Sequence, residues 1–154
     1  MARNVYLTHQ TLSLKQARTI VEAALAYAAA QSMNPITVTV MDTSGHPISC
    51  DRADGCATLR LAVSHGKAKA ALGYGLSSGT IGERNQARPA FLSAVASASQ
   101  GEFIPVAGGV LILDEQERVI GAVGVSGDSS DNDERAAMAG IEAAGLKAGL
   151  APEN

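Results

Sequence analysis

Gly108-Gly109-Val110-Leu111-Ile112-Leu113-Asp114-Glu115-Gln116-Glu117-Arg118-Val119-Ile120-Gly121-Ala122-Val123-Gly124-Val125 decides the fold. Apolar runs at 108–113 and 119–125 flank a polar turn at Asp114–Glu117, the pattern of a buried β-hairpin. A similar unit lies upstream. Ile36, Val38 and Val40 alternate with Thr37, Thr39 and Met41, Asp42 to Pro47 reads as a turn, and Ile48 to Arg52 as the returning strand. Asp54-Gly55 marks a further turn.

Helical spacing fills the segments between. Leu14, Ala17, Val21, Ala24, Leu25 and Ala28 recur behind a Ser13/Gln16 capping box, with Leu12 as apolar anchor. That helix should reach about Gln31 and end before Met33-Asn34-Pro35. A second fits Thr58 to Leu72, with Leu59, Ala62, Val63, Gly66 and Ala70 on its apolar face. Gly73, Gly75, Gly79 and Gly82 argue against a regular helix over 73–88 and predict a loop with a short helical turn. Pro89 to Val95 reads as a third, short helix, and a closing helix runs from Ser130 or Asp131 to about Lys147. The order αββα…ββα sets helices against one antiparallel sheet. This is an α+β, profilin-like arrangement with about five strands, in one domain over residues 1–154.

With 46% hydrophobic and 18% charged residues, the chain is expected to pack as a globule. Only 3% of residues are aromatic and none is Trp, so few large side chains fill the core, and oligomer contacts are expected to supply part of the stability. A net charge of −3 carries no basic excess for nucleic acid. No stretch approaches the roughly 20 apolar residues of a membrane span, and the N-terminus lacks the apolar core of a secretion signal. Cys50 and Cys56 fit neither a CxxC pair nor a zinc knuckle and read as reduced thiols of a cytoplasmic protein.

Candidate chemistry gathers at two places. Gly124 to Glu134 joins a buried strand to a helix start, where free N–H groups hold anions. Asp131, Asp133 and Glu134 read there as helix-capping acids rather than metal ligands, since the calcium-loop spacing is absent. Arg60 and Lys67, seven apart along one helix edge, form a carboxylate clamp or, equally, a solvated edge or intersubunit salt bridge. Gly108, Gly109, Ser126 and Gly127 join them as candidate ligand contacts. Of the three histidines, His65 is the one set on a helix, which makes it the candidate proton carrier or iron ligand, though an ordinary surface or interface histidine explains it more simply. Glu102, Asp42 and Glu83 are candidate acids or bases, though an ordinary surface carboxylate explains each singly. Neither a G-x-S-x-G elbow nor a phosphate-binding glycine motif occurs.

Six segments in order carry a family resemblance: Leu12-Ser13-Leu14-Lys15-Gln16-Ala17, Val40-Met41-Asp42-Thr43-Ser44-Gly45, Arg52-Ala53-Asp54-Gly55, Gly66-Lys67-Ala68-Lys69-Ala70, Pro105-Val106-Ala107-Gly108-Gly109-Val110 and Ile120-Gly121-Ala122-Val123-Gly124-Val125-Ser126-Gly127. The chain resembles the GlcG/HbpS-like, or heme-degrading domain, family, which includes the C-terminal domain of PduO-type proteins. The resemblance implies a profilin-like sheet, a ring-like or octameric homo-oligomer, and heme or another small molecule as ligand in some members. Other members sit in pathways of organic-acid, diol or aromatic breakdown. It places no heme ligand on a particular residue here, and Cys56 stands where a small Ala or Pro is expected after Asp-Gly.

Two functions follow as expectations. The first is a homo-oligomeric binding protein for heme or a related carboxylate, with Arg60 and Lys67 on the carboxylate and His65 on iron. The alternative is a cofactor-free lyase, hydrolase or tautomerase acting on an organic acid, with His65, Glu102 or Asp42 moving protons. A partner protein for a neighbouring enzyme, without a ligand of its own, stands beside them.

Overall fold

The computed structural model describes residues 4–153. Helix α1 (Leu14–Ala30) leads into β1 (Thr37–Met41) and β2 (Pro47–Arg52), then α2 (Leu59–Tyr74), α3 (Ser78–Arg84) and α4 (Pro89–Ala98). The second hairpin, β3 (Gly109–Leu113) and β4 (Val119–Ser126), is followed by α5 (Ser130–Ala143) and β5 (Lys147–Gly149). The strands form one antiparallel sheet in the order β2-β1-β4-β3-β5, the α+β arrangement expected. The capping box at Ser13 and Gln16 is present, and Leu12 is buried. No described helix is long and apolar enough to cross a membrane.

Period-two alternation splits the sheet into two unlike faces. Val38, Val40, Val110, Ile112, Val123 and Val125 point to one side, under Ile20, Val21 and Ala24 of α1 and Ala136, Ala137 and Ile141 of α5. Burying each such Val or Ile stabilises the fold by about 1.5–3 kcal/mol. Met41, Leu111 and Ala122 face the other side, against Ala68 and Ala71 of α2. There the helix lies almost on the strands, since a Cβ at Gly124 would sit 1.8 Å from the Ser64 carbonyl oxygen.

Three expectations are corrected. The glycine run does not prevent a helix: α3 forms across Gly79 and Gly82, and a Cβ at Gly82 would meet the Pro105 carbonyl oxygen at 2.1 Å. Those glycines allow close packing against 105–107, which outweighs their propensity cost of about 1 kcal/mol each. The closing helix stops at Ala143, because Gly145 turns at φ 72° and lets Lys147–Gly149 add a fifth strand beside β3. On α2 the expected apolar face is only half buried. Gly66 and Ala70 pack inward, whereas Leu59 is 76% exposed, and the sheet is met instead by Ser64, Lys67, Ala68 and Ala71.

Candidate functional site

A polar layer lies between α2 and the sheet. The Ser64 hydroxyl donates to the Leu61 carbonyl at 2.8 Å, so it accepts from the Thr39 hydroxyl at 2.8 Å. Thr39 then has no proton left, and the Cys50 thiol donates to it at 3.2 Å. Cys56 lies 3.3 Å from the Thr37 hydroxyl, and both cysteines are free. Thr37 pairs in register with Ser126, whose buried hydroxyl accepts from Arg60 Nη1 at 3.3 Å. Arg60 is half-buried and takes no part in the ion pairs found among the described residues. On either side of it Leu59 and Leu61 are exposed, at 76% and 41%.

Lys67 points inward instead. Its ammonium donates to Asp133 Oδ2 at 3.0 Å and to the Val125 carbonyl at 2.9 Å, and both side chains are almost fully buried. Asp133 Oδ1 accepts the Asp128 N–H at 2.9 Å. Burial pulls both groups towards their neutral forms, Lys67 down and Asp133 up, and their mutual attraction opposes it. Gly108 and Gly109 close around this lysine: a Cβ at Gly109 would lie 2.2 Å from the Lys67 carbonyl oxygen, and one at Gly108 2.8 Å from its Nζ. Gly127 packs equally close to the Pro35 carbonyl. The cap of α5 is Ser129, whose hydroxyl accepts the Asn132 N–H, rather than one of the acids expected there. Asp131 stands in the first turn, where it complements the helix dipole, and Asp133 is a buried counter-ion. Burial, then Asp131 and Glu83, raise the pKa of half-buried Glu134.

His65, Lys69 and Glu102 form a separate group on α2 and the loop after α4. Lys69 Nζ meets Glu102 Oε2 at 2.5 Å, which holds that exposed carboxyl below its usual range. The half-buried His65 imidazole is lowered from 6.5, first by burial and then by Lys69, with Glu102 opposing. Its Nε2 is buried without a hydrogen-bond partner. Asp42 joins neither group. It sits at the far end of β1, where Oδ1 accepts the Ser44 and His46 N–H groups of the hairpin turn. Glu83 is exposed on α3.

The largest cavity, of about 710 Å³, touches none of these residues. It opens at the opposite end of β4 and α5, between His9–Thr11, Leu113–Glu115 and Ala144–Lys147. Those three segments read singly as a terminus, a turn and a helix end, so no local pattern marked them.

A family model described as "Haem degrading protein HbpS-like" matches residues 12–142. The chain belongs to the HbpS-like family. Solved structures share the fold of this HbpS-like chain. A PduOC:heme complex superposes with a TM-score of 0.80 at 21% identity, covering 90% of this chain and 99% of that one. The Klebsiella pneumoniae protein ORFY gives 0.80 at 24% identity, covering 94% and 98%, and HbpS gives 0.74 at 24% identity, covering 92% and 96%. No curated protein matches the sequence significantly.

Proposed function

We propose that this HbpS-like protein is a homo-oligomeric binding protein for a small, largely apolar carboxylate, with heme as the leading candidate. The observation that carries the reading is Arg60: a half-buried guanidinium, oriented by Ser126, with no ion-pair partner among the described residues, whose neighbours in sequence, Leu59 and Leu61, are exposed. A cation left without a counter-ion on a surface that also exposes apolar side chains is complementary to an amphipathic acid. Lys67 acts there as a positioning residue, holding β4 and the start of α5 behind Ser126.

Heme fits the residues present. Arg60 would hold a propionate, and one of its exposed neighbours, Leu59 or Leu61, would meet the ring edge. His65 offers a neutral imidazole with an unpartnered Nε2, the form that ligates iron once the ring turns outward. Bound heme would supply an iron centre. A PduOC:heme complex within the shared fold supports the choice. Conversion of an organic acid has less support, because Glu102 is paired with Lys69 and Asp42 is engaged in its turn. Self-association is supported by apolar surface left uncovered, including Val5, Tyr6 and Leu7, and by α4, none of whose residues is fully buried. Two free thiols bonded to threonines suit a cytoplasmic location.

Hemin titration followed at the Soret band tests this. A saturable shift is expected, weakened about tenfold in Arg60→Ala, the loss typical of one charge-assisted hydrogen bond. His65→Ala should alter the shape of the bound spectrum. An unsaturable response, or one untouched by Arg60→Ala, would refute the site.

A further inference from the structure

The cavity at the other end of the molecule has a chemistry of its own. Leu113, Ile120, Ala144 and Leu146 supply apolar wall. Its volume of about 710 Å³ falls within the usual range for small-molecule pockets. Most polar groups on the rim are already engaged. Thr11 Oγ1 donates to the Ile120 carbonyl at 3.1 Å, Gln16 Oε1 accepts the Ser13 N–H at 2.9 Å, and the Lys147 ammonium is held by Glu117. Asp114 remains a carboxylate, with its pKa lowered first by the Arg118 N–H.

What remains unbalanced is negative. Glu115 takes part in none of the ion pairs among the described residues. Helix α5 ends at this cavity with no basic residue in its last turn, and Lys147, four residues beyond its end, is already held by Glu117, so no unpaired cation among the described residues offsets the negative end of the helix dipole. His9 and Gln10 stand on the rim with no side-chain hydrogen bond among the described residues and leave room for an N–H donor.

We infer that this cavity is a second ligand site, taking a small organic cation, a primary ammonium or guanidinium carried on an apolar body. The apolar body lies on Leu113, Ile120 and Leu146, and the charged head points to Glu115 and the end of α5. Such a site selects the charge opposite to that preferred at Arg60.

Phenethylammonium chloride titrated calorimetrically into the full chain tests this, in phosphate buffer because Tris is itself an ammonium. Saturable binding is expected, at least fivefold weaker in Glu115→Lys and lost in Ala144→Arg, which pushes a bulky cation into the cavity. The isosteric 3-phenylpropionate should give no saturable heat in the same range. Equal binding of acid and amine, absence of saturable amine binding, or full affinity in Glu115→Lys would overturn the site. Arg60→Ala should leave amine binding intact, and Glu115→Lys should leave the hemin titration intact, so the two sites fail separately. Glu115 is an exposed turn residue, and an unchanged melting temperature would show that its variant is folded.

Discussion

The two ends of the β4–α5 unit treat charge in opposite ways. At the start of α5, Lys67 and Asp133 are buried, paired and packed round by Gly108 and Gly109. Beyond the end of α5, about 21 Å away along the helix, Lys147 and Glu117 are paired in the open, beside a cavity. The first arrangement leaves no room for a ligand on Lys67 and transmits position to Ser126 and Arg60. The second leaves space and an unbalanced field. Full pairing under burial therefore marks architecture, and it is Glu115, unpaired among the described residues and beside open volume, not the Lys147–Glu117 pair, on which the proposed second site rests.

The largest effect should come from breaking the closed end. Asp133→Ala leaves the Lys67 ammonium buried without a counter-charge and the Asp128 N–H without its acceptor, at a cost of about 3–5 kcal/mol in urea unfolding. Lys67→Met with Asp133→Leu should recover part of that loss, since no buried charge then remains although the Asp128 N–H and the Val125 carbonyl lose their partners. A loss below about 1 kcal/mol in the single variant would remove the contrast between the ends.

A smaller effect separates packing from ligand contact. Gly109→Ala drives a methyl group into the backbone of α2, which is unable to swing aside as a flexible side chain would. Destabilisation of about 1–3 kcal/mol is expected. Hemin affinity measured on the folded fraction should be kept. A selective loss of affinity with unchanged stability would instead return Gly109 to the ligand contacts.

The smallest effect belongs to the open end. Lys147→Ala removes an exposed pair and should shift unfolding by no more than about 0.5 kcal/mol. A loss comparable to that of Asp133→Ala would show that the two ends are alike.

Much of the fold was legible because its causes are local. The capping box placed α1, Thr-Val alternation placed β1, and the Asp114–Glu117 turn placed the second hairpin. Arg60 and Ser126, 66 positions apart, were both singled out from the chain, yet their hydrogen bond exists only because α2 crosses the end of β4. Lys67 looked like the partner of Arg60 on a helix edge, whereas the structure turns its side chain under the sheet to Asp133. Helical spacing reports which residues share a face but not which face is covered, so Leu59 was expected inside and lies outside.

By itself, then, the sequence determined α1, α2, the two hairpins and their order, and the residue types able to bind an acid, since capping, alternation and turn chemistry act over a few residues; α3 and β5 emerged only in the fold. Tertiary structure alone decided which glycines admit a neighbouring backbone, which lysine is buried, and that three unremarkable segments enclose a cavity. Those outcomes depend on contacts between residues far apart in the chain, and no local pattern encodes such contacts.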